Sequence, residues 1–220
     1  MKWNHRPAWV REICAPPGLP GREPEATVMR SSTRELLDVE DSILVVIDVQ
    51  EGFLKKIGAD AATELVDRIR WLVQVALWLK VPVLVTAEDI PRNGPTIEPI
   101  RQITGGKELN KTVFGLADQE NILAEFKSLG RSTAILVGLE TDVCVQHSAM
   151  GLARLGYAVA VVADATASPE GGHAFGLERM RAAGITLVSC KALFYEWMRD
   201  LMRTYSFDAS AVKPPKGLIL

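Results

Sequence analysis

The chain has 220 residues of 48% apolar composition, enough for one well-buried domain and too few for two of ordinary size. Its formal net charge of −2 gives no reason to expect nucleic acid or an anionic membrane as partner, and points to a small-molecule ligand. The three scattered cysteines, Cys14, Cys144 and Cys190, lack the spacing of a zinc site or disulfide framework, the early apolar runs are broken by Pro and charge, and no apolar stretch is long enough to span a membrane; a reducing cytoplasm is the expected compartment.

Residues 1–38 carry Pro7, Pro16, Pro17, Pro20 and Pro24 with Gly18 and Gly21 and no sustained periodicity, which reads as an extended arm. Trp3 and Trp9 argue for an arm packed on its own domain or on a neighbouring subunit over a wholly solvated one. From Ser42 the pattern becomes a β/α repeat. The run at 43–47, ILVVI, has the unbroken apolar character of a strand buried on both faces. Leu65, Ile69, Leu72, Val73, Ala76 and Leu79 then fall at helical spacing within 61–80, and 82–86 is the next strand. A short strand is expected at 111–114. Further strands read at 133–137, 159–163 and 185–188, each preceded by a helical stretch ending near Gly130, Gly156 or Gly184. The expectation is one α/β domain over 39–212, followed by a tail at 213–220. Its fold is Rossmann-like and three-layered (α/β/α), with a mostly parallel sheet of about six strands in the order 3-2-1-4-5-6.

Two positions stand where such sheets bind ligands, at the carboxyl ends of strands beside the topological switch. Asp48 ends the first strand, followed by Gln50 and Phe53; taken alone, it is either a turn cap or a ligand-facing acid. Cys144 lies in the segment 138–145, GLETDVCV, between the strand at 133–137 and a helix running to about Leu155. Unpaired N–H groups at a helix start favour the thiolate, although a lone cysteine is more commonly a small buried hydrophobe. Lys111, read in isolation, is a surface lysine.

Taken together, IDVQ at 47–50 with Phe53, KTVF at 111–114 and GLETDVCV at 138–145 resemble the isochorismatase-like cysteine hydrolases over about residues 40–205, and GYAVAVVADA at 156–165 extends the likeness. The resemblance implies a triad in which Cys144 attacks a carbonyl carbon, Asp48 takes the thiol proton and returns it to the leaving amine, and Lys111 stabilises charge. It also implies a cis peptide between Leu139 and Glu140, with the Glu140 and Cys144 N–H groups forming an oxyanion hole. Gln50, Phe53, Glu88 and Phe114 fall around the substrate by the same likeness, and Arg92 could clamp a substrate carboxylate if its loop covers the pocket, although solvent exposure is the more usual place for it. Small amides or ureido compounds are the implied substrates, no cofactor is called for, and a homo-oligomer is expected.

The chain departs from nicotinamidases of this group, which bind a metal through histidines after the second strand. His5, His147 and His173 are its only histidines, so no metal site is expected. Glu88 and Asp89 together could hold a hard cation, but adjacent acids in a loop are usually solvated. His147, three residues beyond Cys144, projects from the same helix and is a poor candidate for its base. Gly115 stands where relatives often carry serine. Cleavage of a vinyl ether, or an idle scaffold of the same fold, are the competing functions, although a scaffold would be expected to lose members of the triad. Cys144 is expected to be alkylated faster than Cys14 or Cys190; the helix start and Lys111 would lower its pKa while Asp48 would raise it, so the reading settles the site and not the net shift. Phe194, Trp197, Met198, Leu201 and Met202 form an apolar stripe suited to core packing more than to an interface.

Overall fold

The computed structural model describes residues 36–220. Most of the expected amino-terminal arm lies outside them.

The strands are β1 (Ser42–Ile47), β2 (Val83–Glu88), β3 (Leu109–Lys111), β4 (Thr133–Leu139), β5 (Ala158–Ala167) and β6 (Thr186–Val188). All pair in parallel, in the order β3-β2-β1-β4-β5-β6. This is the expected order, with β1 and β4 flanking the switch point. Parallel neighbours need crossovers, and the helices provide them on both faces. In chain order they are α1 (Glu51–Leu54), α2 (Ala59–Trp78), α3 (Ile90–Asn93), α4 (Glu98–Thr104), α5 (Glu120–Ser128), α6 (Gln146–Arg154), α7 (Gly172–Ala182), α8 (Cys190–Met198) and α9 (Leu201–Ser206).

Strand β1 shows why its run is continuous. Its side chains alternate between faces: Leu44 and Val46 enter a core with α2, α4 and α8, while Ile43, Val45 and Ile47 enter another with α5, α6 and α7. Each face is covered, so no polar residue is needed between the apolar ones. The apolar stripe of the last helices divides. Phe194, Trp197 and Met198 are fully buried, and the Trp197 indole N–H donates to Ser42 Oγ at 3.1 Å, whereas Leu201 and Met202 are exposed.

Several boundaries differ from the sequence reading. Strand β3 ends at Lys111, because its pairing with β2 stops at Glu88 and the chain then leaves the sheet. Strand β5 runs on to Ala167 through a register shift against β4, which adds pairs at Gly138 and Leu139. Leu37 is buried and its N–H donates to Glu196 at 2.7 Å, so the body includes the last residues assigned to the arm. The supposed tail is also engaged: Leu218 and Leu220 pack against the α2–α8 core. Among the described residues, no helix is long and apolar enough to cross a membrane.

Candidate active site

The register of the central strands gathers the chemistry. Ile47 pairs with Thr86 on one side and Gly138 on the other, so the chain leaves β1 and β4 at the same level. Gly138 has a φ of +119°, and a Cβ there would lie 2.0 Å from the Ile47 carbonyl oxygen, so only glycine fits. Asp48 follows at once. It takes a left-handed conformation with φ of +52°, uncommon outside glycine but relatively accessible to Asp, and its N–H still donates to Thr86 O at 3.0 Å. Glu88 and Lys111 are register partners at the ends of β2 and β3. The Leu139–Glu140 peptide is cis, as the resemblance implies, and leads into a π-helical turn, Thr141–Val145, that carries Cys144 into α6.

Lys111 is the hub. Its ammonium is fully buried, 2.9 Å from Asp48 Oδ2, 3.4 Å from Glu88 Oε2 and 3.5 Å from Cys144 Sγ, and it donates to the Val113 carbonyl at 2.7 Å. The reading of Lys111 as a surface residue is thus overturned by its ion pairs. Asp48 is equally buried and accepts from the Thr86 hydroxyl at 3.1 Å through Oδ1. The Cys144 thiol donates to Glu88 Oε2 at 3.2 Å. Asp48, Glu88 and Cys144 offer ligand atoms within 4.8 Å of one another, a grouping that suits a cation. The Lys111 ammonium already supplies one there.

Burial raises the Asp48 carboxyl above its ordinary value, with Lys111 opposing and Glu88 assisting. For Lys111, burial works downward, but Asp48, Cys144 and Glu88 outweigh it and the ammonium is held more firmly than usual. The Cys144 thiol is pushed far up, first by burial and then by Asp48, against the pull of Lys111; Glu88 adds to the rise. Of the opposing pulls expected on the thiol, the raising one from Asp48 prevails over Lys111 once burial is added. The direction of the shift favours the thiol over the thiolate.

Above the sulfur is a cavity of about 120 Å³ lined by Phe53, Lys56, Glu88, Phe114, Leu139, Glu140, Val143 and Cys144. A larger concavity of about 560 Å³ between α2 and the start of α4 contains no cysteine or histidine, so chemistry points to the smaller one. Of the expected substrate contacts, Phe53, Glu88 and Phe114 line the cavity. Gln50 does not, for a physical reason: it is fully buried, its amide N–H groups donate to the Glu88 and Gly94 carbonyls, and its oxygen accepts from the Glu88 N–H. It clamps the β2 loop. Arg92 is exposed on α3 and lies outside the cavity wall. His147 is exposed and packs edge-on against Phe114, 5.8 Å between ring centres, supporting the wall instead of serving the thiol. A Cβ at Gly115 would lie 2.8 Å from Asp118 Oδ2, the movable end of an exposed side chain, and 3.2 Å from the His147 carbonyl oxygen, so a serine there would require a small local adjustment. Sequence reasoning missed Lys56, which bonds Glu140 at 2.7 Å and sits over the Phe53 ring. No periodicity or motif marks it.

Comparison with known proteins agrees with this architecture. Isochorismatase domain-containing protein 2 of Xenopus laevis is 32% identical over 174 residues, 77% of this chain and 83% of its own. YcaC of Pseudomonas aeruginosa, solved with covalent acrylamide, superposes with a TM-score of 0.74 at 23% identity, covering 79% of this chain and 88% of that one. The Escherichia coli YcaC, described as an octameric hydrolase of unknown specificity, gives 0.69 at 24% identity, covering 74% and 82%. N-carbamoylsarcosine amidase of Thermoplasma acidophilum gives 0.58 at 22% identity, covering 68% and 96%. The Isochorismatase domain model matches residues 42–192, a span that contains all six strands and the whole buried cluster, and the chain belongs to that family.

Proposed function

We propose that the protein is a hydrolase that opens a C–N bond of a small carboxamide, ureido or related compound through a thioacyl-enzyme on Cys144. The observation that carries this reading is the convergence of the Cys144 thiol, from the turn after β4, with a buried carboxylate and a buried ammonium from the ends of β1 and β3, the thiol itself lining one small cavity. In the first step Sγ bonds to the carbonyl carbon as its proton passes to Asp48. A carboxyl raised by burial is suited to take and return a proton. The Glu140 and Cys144 N–H groups receive the developing oxyanion, the C–N bond breaks, and Asp48 protonates the departing amine. Water then attacks the thioester, giving its proton to Asp48, and the acid leaves as the thiol is restored. Lys111 stays protonated throughout and holds the Asp48 charge beside the sulfur.

Two comparisons support the chemistry: the covalent acrylamide in Pseudomonas YcaC and the C–N substrate in the amidase's name. Self-association is proposed from the octameric Escherichia coli YcaC together with the exposed Leu201, Met202 and Tyr205 on α9. A reducing cytoplasmic setting accords with the unpaired, buried Cys144 and Cys190. The test is intact-mass screening of amides and ureido compounds against wild type and Cys144→Ser. A substrate consumed by wild type, with an acyl adduct on the Cys144 peptide and none in the variant, is the expected result. Turnover by Cys144→Ala at the wild-type rate would refute the nucleophile.

A further inference from the structure

Glu88 is not needed as a member of the Asp48–Lys111–Cys144 triad, yet its carboxylate accepts the thiol proton's hydrogen bond at 3.2 Å. It also lines the cavity and is about one-fifth exposed, whereas Asp48 is fully buried and is not among the lining residues. We infer that Glu88 is the specificity-determining residue of this pocket: its charge admits neutral or cationic amides and turns away substrates with a carboxylate next to the scissile carbonyl.

The argument is one of charge at close range, and it rests on Cys144 as nucleophile. Three carboxylates, Asp48, Glu88 and Glu140, face two ammonium groups, Lys111 and Lys56. Asp48 is matched by Lys111 at 2.9 Å and Glu140 by Lys56 at 2.7 Å. Among the described residues, Glu88 is left with only the longer 3.4 Å approach to a Lys111 already committed to Asp48. The surplus negative charge of the cavity therefore resides on Glu88, at the sulfur. A second carboxylate brought within a few ångströms of it meets repulsion weakly screened by water, while an N–H or cationic substituent finds an acceptor.

The position is also built to hold. The Glu88 N–H and C=O are both clasped by the Gln50 amide at 2.8 and 2.9 Å, and the C=O also accepts from Asn93 at 3.1 Å. These bonds use the backbone, so the side chain can be changed while the loop stays in place. Gln50 is thus a positioning residue for Glu88.

The test compares two alkylating agents of nearly equal size, neutral iodoacetamide and anionic iodoacetate, on the full chain at pH 8, with rates on the Cys144 peptide normalised to those on glutathione. In each reaction the Sγ–C bond forms, iodide leaves with the electron pair, and the thiol proton passes to the neighbouring carboxylates and solvent. Wild type is expected to favour iodoacetamide, and Glu88→Gln to raise the iodoacetate share about tenfold, since it leaves two carboxylates facing two ammonium groups. Increasing salt should raise that share in wild type as the field is screened, a measurement that requires no variant to fold. A folded Glu88→Gln protein labelled on Cys144 with an unchanged ratio, or a wild-type ratio indifferent to salt, would overturn the charge filter while leaving the nucleophile intact. Labelling of Cys190 with Cys144 inert in wild type would instead remove the nucleophile on which the filter depends.

Discussion

Replacing Lys111 with methionine is the sharpest perturbation of the cluster, because it removes a charge and keeps a long, unbranched side chain. Asp48 would keep its Thr86 hydrogen bond at 3.1 Å but lose the ammonium at 2.9 Å while remaining fully buried. An uncompensated buried charge of this kind costs about 3–5 kcal/mol. Asp48→Asn is milder, at about 1–3 kcal/mol, because the ammonium retains the Val113 carbonyl at 2.7 Å and Glu88 at 3.4 Å. The double variant buries neither charge and should recover most of the Lys111→Met loss. Reactivity should follow a second course. A unit charge 3.5 Å from the sulfur, at an effective dielectric near 20, stabilises a thiolate by about 5 kcal/mol, so even after local adjustment Cys144 alkylation should slow by at least about a hundredfold. Urea unfolding followed by fluorescence of the buried Trp71 and Trp197 gives the first quantity, and peptide mapping the second. A Lys111→Met protein within about 0.5 kcal/mol of wild type, or a double variant no more stable than that single one, would refute the buried-pair reasoning.

Asp48→Asn should retain the fold but lower turnover at least about 10²-fold, the scale of lost acid–base catalysis; steady-state kinetics with near-normal kcat would dismiss the proton shuttle. Exhaustive chelation should leave activity unchanged, because the Lys111 ammonium already provides the positive charge among Asp48, Glu88 and Cys144; activity lost and then restored by one equivalent of a divalent ion would contradict this. Iodoacetamide should label Cys144, which lines the cavity, before the fully enclosed Cys190, and the reverse order by mass spectrometry would count against the site. The raised thiol also predicts a pH effect with a definite sign. The folded protein keeps the Cys144 proton that the unfolded chain releases around pH 9.0, so this stabilisation is complete below that pH and lost as pH rises toward the folded value. Between pH 9 and 10.5, Cys144→Ser should remove up to about 1.4 kcal/mol per pH unit from the decline of urea stability; parallel curves for variant and wild type would refute it.

Sequence alone determined the order of strands and helices, since burial on two faces demands continuous apolar runs and crossover helices demand periodic ones. Position at the edge of the sheet made Asp48 and Cys144 candidates, but each had a structural alternative, and it was the motif resemblance that promoted them together with Lys111, since nothing in the local pattern of Lys111 distinguishes it from a surface lysine. Three matters were decided only in three dimensions. The end of β3 follows from the partner it pairs with, not from its own composition. Gln50 became a clamp instead of a substrate contact because its amide finds the carbonyls of Glu88, at the end of β2, and of Gly94, 38 and 44 residues away in sequence. The balance at the Cys144 thiol was the third: a helix start and Lys111 favour the anion and Asp48 opposes it, all legible in the sequence, but burial and Glu88 tip the direction upward only in the folded chain. Charge balance depends on distances among groups from β1, β2, β3 and β4, and desolvation depends on everything packed around them. Neither quantity exists until the chain has folded.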